Sequence, residues 1–260
     1  RLYGTGTTMF DEDAAYHAHY FDEALEHGFT GFKVRLGRSV ADDVATVAAV
    51  RDHVGPDALI GVDSYWFHDP RTALELDEAL VDLDVDYHDE PEPQRRIEGM
   101  AWLAERTPIP VAVGERVYSI HQFDQLARAG AAHVFQPDAS ICGGIAACME
   151  IAALAAQNDI ALYPHVGGPT IIGLAANLHW AVAADAPLCE YDIDPWQPLI
   201  TEVGGPAIGL GDIVDGHLAA PDAPGLGVAL PDDIAERFPY QPGDTYAEVF
   251  PDHEKGRSAG

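Results

Sequence analysis

The chain has 260 residues, 47% of them hydrophobic, which is enough to bury one barrel-sized core. Its formal charge of −29, from 43 acids against 14 bases, opposes binding to nucleic acid or to an anionic membrane surface. No apolar run approaches the ~18 residues that span a bilayer, and the N-terminus lacks a secretory signal pattern. We therefore expect a cytoplasmic protein with neither nucleic-acid nor membrane partners.

The basic residues are distributed unevenly. Lysine occurs only at Lys33 and Lys255, whereas the other bases are arginine. An acidic surface with almost no lysine is typical of proteins that work in molar salt, so the composition predicts a halophilic source. The cysteines Cys142, Cys148 and Cys189 form no CxxC pair, which favours small buried residues over a disulfide framework or a zinc site.

Strand and helix signals alternate from one end of the chain to the other, which predicts parallel strands joined by helices. We expect strands near 2–8, 31–35, 58–63, 85–90, 109–115, 132–138, 160–165 and 187–191. Eight such strands predict a TIM-type (β/α) barrel, whose chemistry lies at the C-terminal ends of the strands.

Helix boundaries carry recognisable caps. Ser39 and Asp69, the latter followed by Pro70, are expected to begin helices, and Ser119 and Gly130 are expected to frame another. We assign residues 1–230 to the barrel and 231–260 to a C-terminal wrap and disordered tail. Because Arg1 opens directly into a strand-like segment, we expect an upstream domain to be missing from this chain.

Three acids recur at equal steps along the chain. Asp63, Asp89 and Glu115 are separated by 26 residues each (89−63 and 115−89), and each closes an apolar strand-like run. Equal steps of one strand and one helix would bring all three to one rim of the barrel. Because their carboxylates would repel one another, the pattern predicts a hard divalent cation, Mg²⁺ before Mn²⁺ or Ca²⁺.

Other predicted strand ends also carry reactive side chains. Lys33 and Arg35 alternate along the second strand, so both should point into the barrel mouth. Asp138 and His165 close the sixth and seventh strands, where the acid could orient the imidazole and raise its basicity. Glu190 closes the eighth strand and could donate a hydrogen bond if protonated, repel the substrate if ionised, or simply cap a helix.

The ordered motifs KVR, GVD, HDEP, VGE, QPDxxxCGG and YPH resemble the barrel domain of the enolase superfamily, in the mandelate racemase/muconate lactonizing enzyme subgroup. Within it, residues 1–230 are most similar to L-rhamnonate dehydratase and related acid-sugar dehydratases. The resemblance implies a modified (β/α)7β barrel that normally carries an N-terminal capping domain. It also implies Asp63, Asp89 and Glu115 as Mg²⁺ ligands, Asp138 and His165 as the catalytic dyad, and Glu190 as an assisting acid.

Several positions depart from the family pattern. The second ligand is usually Glu, but this chain has Asp89 followed by Glu90, so Glu90 is an alternative ligand that strand alternation disfavours. Tyr65 stands where a polar amide is common. Ile141 replaces the second lysine base of muconate-type enzymes, which removes that mechanism.

A single base leads to an expected reaction. Arg35 stays protonated, so Lys33 and Arg35 are assigned to binding anionic substrate or stabilising charge. His165 would remove the proton next to a carboxylate and then protonate the departing hydroxyl, giving a 2-keto-3-deoxy sugar acid. We expect a homo-oligomeric dehydratase of a small carboxylate substrate. The alternatives are a racemase or epimerase of the same subgroup and a non-catalytic metal-binding barrel.

Overall fold

The computed structural model of the protein describes residues 1–6, 13–167, 170–193 and 209–239. Strands and helices alternate along these residues, and all eight predicted strands are present. The strands are β1 (Leu2–Thr5), β2 (Gly31–Arg35), β3 (Leu59–Asp63), β4 (Tyr87–Asp89), β5 (Val111–Val113), β6 (Val134–Phe135), β7 (Ala161–Leu162) and β8 (Cys189–Asp192).

Helices connect each strand to the next, and a further helix follows β8. They are α1 (Ala14–His19), α2 (Asp22–Glu26), α3 (Val40–Val54), α4 (Pro70–Leu80), α5 (Ile97–Ala104), α6 (Ile120–Arg128), α7 (Ile145–Gln157), α8 (Ile171–Ala183) and α9 (Ile234–Arg237). Short 3-10 helices follow at Val81–Leu83 and Leu210–Asp212. No helix among the described residues is long and apolar enough to cross a bilayer.

The eight strands form one parallel sheet in the order β7-β6-β5-β4-β3-β2-β1-β8. The sheet curls so that its two edge strands meet. At this junction the Glu190 N–H in β8 donates to the Pro164 carbonyl, just after β7, at 3.0 Å. The predicted (β/α)7β barrel is therefore confirmed. Its C-terminal rim carries the loops in which barrel enzymes place their chemistry.

The helix starts follow local sequence chemistry. Ser39 accepts a hydrogen bond from the Asp42 N–H, and Asp69 accepts two from the first turn of α4, so both are N-caps as predicted. Ser119 occupies the predicted cap position of α6, but its side chain makes no capping bond there. Helix placement thus agrees with the sequence, although one cap lacks its expected bond.

Apolar side chains pack in two layers. Those that point outward from the strands, such as Val34 and Phe135, pack against the helices. Inside the barrel the large ring of Tyr87 is completely buried and packs against Ala112 and Val134. All three cysteines are buried and free, as the sequence predicts.

Residues beyond β8 return to the N-terminal end of the barrel. The Gly216 carbonyl accepts from the Leu2 N–H at 2.8 Å, and Leu226 and Phe238 pack against the core. The predicted boundary at residue 230 stays a prediction. The expected disordered tail lies outside the described residues.

Gly61 gives a test of how the interior is filled. A Cβ at Gly61 would overlap the ring of Tyr87, whereas one at Gly99 in α5 would meet its neighbours at 3.6 to 3.8 Å. We expect Gly61→Ala to lower the free energy of unfolding by ~1–3 kcal/mol through overpacking. Gly99→Ala should raise it by ~0.5–1 kcal/mol because alanine favours the helix. Urea unfolding of both variants measures this, and equal stabilities would contradict the packing described.

Candidate active site

Three acids converge where β3, β4 and β5 end. Asp63 and Asp89 are the last residues of neighbouring strands and are paired in register, while Glu115 follows β5 after Gly114. Gly114 has φ +147, and a Cβ there would lie 2.7 Å from the Gln136 backbone nitrogen, so glycine is required for this turn. Carboxylate oxygens of the three buried acids lie within 4.8 Å of one another.

Lys33 lies at the centre of this group. Its Nζ is 3.0 Å from Asp89 and 2.7 Å from Glu190, and it also lies 3.6 Å from Asp63. Although burial alone would lower the pKa of Lys33, the charges of Glu190 and Asp89 outweigh it and raise the pKa above its ordinary value. The lysine is therefore a fixed cation in the barrel mouth.

Arg35 also points into the mouth, as strand alternation predicts. It pairs with Asp63 through Nη1 and donates from Nε to the Gly6 carbonyl at 3.2 Å. Ile141, by contrast, is 37% exposed and apolar, so this position offers no base. Both cations thus face the acids, and neither can serve as a neutral base while these pairs persist.

Glu90 is not one of the three converging acids, although its carboxylate shares the Arg116 guanidinium with Glu115. Its backbone is left-handed, with φ +46, which ends the alternation of β4 and turns the side chain aside. The carboxylate pairs with Arg116 and accepts from Gln94. Burial, together with the charge of Glu115, raises the pKa of Glu90 to about 8. Among these two acids, only Asp89 joins the group.

Asp138 and His165 form the predicted hydrogen-bonded pair. His165 Nδ1 lies 3.0 Å from Asp138, and the same carboxylate accepts from Asn177 at 2.9 Å and from the Gly167 N–H at 3.0 Å. Despite its burial, hydrogen bonds from His165 and Asn177 hold the pKa of Asp138 at about 2. An ionised Asp138 fixes the orientation of the imidazole.

The other ring nitrogen of His165 faces the acids. His165 Nε2 lies 3.3 Å from Glu115 and 3.6 Å from Glu190. Glu190 also accepts a hydrogen bond from the Val166 N–H at 3.0 Å. Burial acts to lower the pKa of His165, but the charges of Glu115 and Glu190 prevail and raise it. The dyad and the three acids therefore form one electrostatic unit.

Several residues that contact the site acids directly or through a neighbour were not predicted from the sequence. Asn177 is a buried amide within the apolar helix α8, and that polarity was its only signal. Arg116 bridges Glu90 and Glu115, with its guanidinium 4.1 Å from the ring centroid of Tyr65. Tyr65, where a polar amide was expected, thus packs against Arg116.

A second histidine network lies behind the rim. His88 contacts Asp77 through Nδ1 and Ser64 through Nε2, both at 2.6 Å. The arrangement matches a nucleophilic triad in its contacts. All three side chains are completely buried, however, so substrate has no access to Ser64. The network instead fastens the ends of β3 and β4 to α4.

The donor set fits a hard divalent cation. All three acids offer oxygen, and Asp89 Oδ1 is buried without a hydrogen-bond partner. Such orphaned carboxylate oxygens are costly unless a cation satisfies them. Mg²⁺ therefore suits Asp63, Asp89 and Glu115.

Comparison with known proteins identifies the family to which this barrel belongs. A family model described as enolase C-terminal domain-like matches residues 17–234. The chain belongs to the enolase C-terminal domain-like family. Among solved structures, the chain is similar to a member of the enolase superfamily from Polaromonas sp. JS666. The two are 29% identical, with a TM-score of 0.85, over 93% of this chain and 64% of the other. A racemase from Streptomyces coelicolor A3(2) with bound magnesium is 25% identical, with a TM-score of 0.74 over 91% of this chain and 64% of that one.

Curated relatives of this enolase C-terminal domain-like chain are named for reactions on a sugar acid or on a sugar-acid lactone. An arabinonate dehydratase of Saccharolobus solfataricus is 32% identical over 88% of this chain and 58% of that protein. A D-galactarolactone cycloisomerase of Agrobacterium fabrum is 29% identical over 92% of this chain and 65% of its own length. The chain therefore spans less than two thirds of these relatives.

Adjacent acids allow the metal site to be tested. We expect Asp89→Asn to lose most Mg²⁺ affinity, because it removes one of three converging charges. Glu90→Gln should retain that affinity, because Glu90 pairs with Arg116 instead. Both residues are completely buried, so the two variants are matched in environment. Calorimetric titration with Mg²⁺ measures both, and loss of binding in Glu90→Gln alone would reverse the assignment.

Proposed function

We propose that this chain is the catalytic barrel of a Mg²⁺-dependent acid-sugar dehydratase that acts on an aldonate. The observation that carries the proposal is a single imidazole, His165, oriented by Asp138 and directed at the acids. Relatives named as arabinonate, D-galactonate and L-talarate/galactarate dehydratases support the substrate class.

Asp63, Asp89 and Glu115 would hold the metal. Bound Mg²⁺ would supply a fixed positive charge for the substrate carboxylate and for the negative charge that develops during proton removal. Lys33 and Arg35 would add positive charge on the same side, because both pair with acids of this group. Glu190, which lies 2.7 Å from Lys33, would assist near the substrate carboxylate.

His165 would perform both proton transfers. With Nδ1 held by Asp138, the neutral ring can accept the α-proton only at Nε2, the nitrogen that faces the site. The resulting imidazolium would protonate the β-hydroxyl, which leaves as water. The enol that remains tautomerises to a 2-keto-3-deoxy acid. One base is sufficient for this sequence of steps.

An epimerase would require a second base on the opposite face of the carbanion. Lys33 is the nearest candidate, but Glu190 and Asp89 hold its Nζ at 2.7 and 3.0 Å, so the ammonium is committed to these ion pairs. Ile141 cannot serve in its place. The charge distribution therefore favours dehydration over epimerisation.

The assay is keto-acid formation in molar KCl with Mg²⁺, screening aldonates and aldarates with protein expressed from the full gene. We expect His165→Asn to lower turnover by about 10²–10⁴-fold, because it removes the acid–base group. His121→Asn, at an exposed histidine of α6, should match the unchanged protein. Retained Mg²⁺ affinity in His165→Asn would show that its fold is intact.

The same incubations in deuterated water separate the alternatives. Dehydration should give a keto product that carries deuterium at C3. Exchange at Cα with inversion and no keto product would identify an epimerase. Binding of Mg²⁺ without turnover of any sugar acid would favour a non-catalytic barrel.

A further inference from the structure

A second group of metal-ligating side chains lies away from the acids of the rim. His19 at the end of α1 contacts Asp22 through Nδ1 at 3.3 Å, and His53 near the end of α3 contacts the other oxygen of Asp22 through Nε2 at 2.6 Å. The two imidazole centroids are 4.7 Å apart. One ligand atom from each residue lies within 4.8 Å of the other two.

The position of this group separates it from the chemistry of the rim. In a (β/α) barrel the helices run antiparallel to the strands, so helix C-termini lie at the end opposite the active site. His19 and His53 both belong to the last turns of their helices. Carbonyl groups at helix C-termini favour a cation nearby. The group therefore joins the C-terminal ends of two helices at the end of the barrel opposite the active site.

The donor atoms select a class of metal. Two imidazole nitrogens and one carboxylate suit zinc and neighbouring transition metals, whereas Mg²⁺ prefers oxygen ligands. The side chains of His19 and Asp22 are 67% and 55% exposed, so water can complete the coordination. Tetrahedral ligands about 2.0–2.2 Å from zinc stand about 3.3 Å apart. His19 Nδ1 lies at that distance from Asp22, whereas His53 Nε2 is nearer to Asp22, at 2.6 Å, and one ligand atom of each residue lies within 4.8 Å of the others.

We propose that His19, Asp22 and His53 form a surface site for a divalent transition metal of the zinc class. Bound metal would cross-link the segment before β2 to α3. A site of this kind would stabilise the barrel without taking part in its reaction. It is independent of the function proposed for the rim, because it uses neither the three acids nor the dyad.

The alternative is a histidine–carboxylate network that needs no metal. Asp22 already accepts from both rings, so the contacts alone are satisfied without an ion. The two cases differ in one respect. A metal site requires both imidazoles at once, whereas a hydrogen-bonded network gives no affinity for zinc.

Calorimetric titration with Zn²⁺, on protein kept in saturating Mg²⁺, tests the proposal. We expect the unchanged chain to bind one zinc ion. His19→Gln and His53→Gln should each bind zinc at least about tenfold more weakly, because losing even a residue that only supports a metal ligand costs that factor in affinity. His121→Gln, which alters an exposed histidine on α6, should bind zinc as the unchanged chain does.

Thermal unfolding gives a second measurement. Zinc should raise the Tm of the unchanged chain and of His121→Gln, because a ligand that binds only the folded state stabilises it. The increase should be absent in His19→Gln and His53→Gln, each compared with its own zinc-free Tm so that any loss of intrinsic stability cancels. Equal zinc binding by all four proteins, or no binding by the unchanged chain, would overturn the proposal.

Discussion

Mutual repulsion among buried carboxylates is the constraint on which the barrel mouth depends. Five acids at strand ends are at most 5% exposed: Asp63, Asp89, Glu115, Asp138 and Glu190. Buried charges of one sign take up protons or destabilise the fold unless cations or hydrogen-bond donors compensate them. Lys33 meets this need at the centre, Arg35 and Arg116 meet it at the sides, and His165 lies between Glu115 and Asp138. A bound divalent cation would add to the positive charges that already compensate the acids of the rim.

Backbone geometry decides which acids belong to that balance. Parallel register places Asp63 beside Asp89, and the turn at Gly114 brings Glu115 to the same level. The left-handed backbone of Glu90 directs an equally buried carboxylate to Arg116 instead. Adjacent residues of the same chemistry therefore take different roles, because one continues the strand and the other leaves it.

The same distinction explains what the sequence could predict. Alternation within β2 placed Lys33 and Arg35 on one face, and equal spacing brought three acids to one rim, because both follow from regular strand geometry. Local patterns carry no such information about Asn177, whose amide reaches Asp138 from a helix distant in the chain. The choice between Asp89 and Glu90 was open for a related reason, since a positive φ at Glu90 is a property of the folded loop. Contacts between strand ends were predictable, whereas contacts that depend on a loop backbone or on a side chain from a helix were not.

Lysine is the side chain that the centre of the rim requires. An ammonium group is compact with three rotatable donors, whereas a guanidinium presents a planar fork. Lys33 Nζ accordingly lies 2.7 to 3.9 Å from four carboxylates, those of Asp63, Asp89, Glu115 and Glu190. Arg116 instead pairs with two acids through Nη1 and packs its guanidinium over aromatic rings. The chain has only one other lysine, Lys255, so a sequence that otherwise nearly lacks lysine retains one at this position. What the site selects is the shape of the charge as well as its sign.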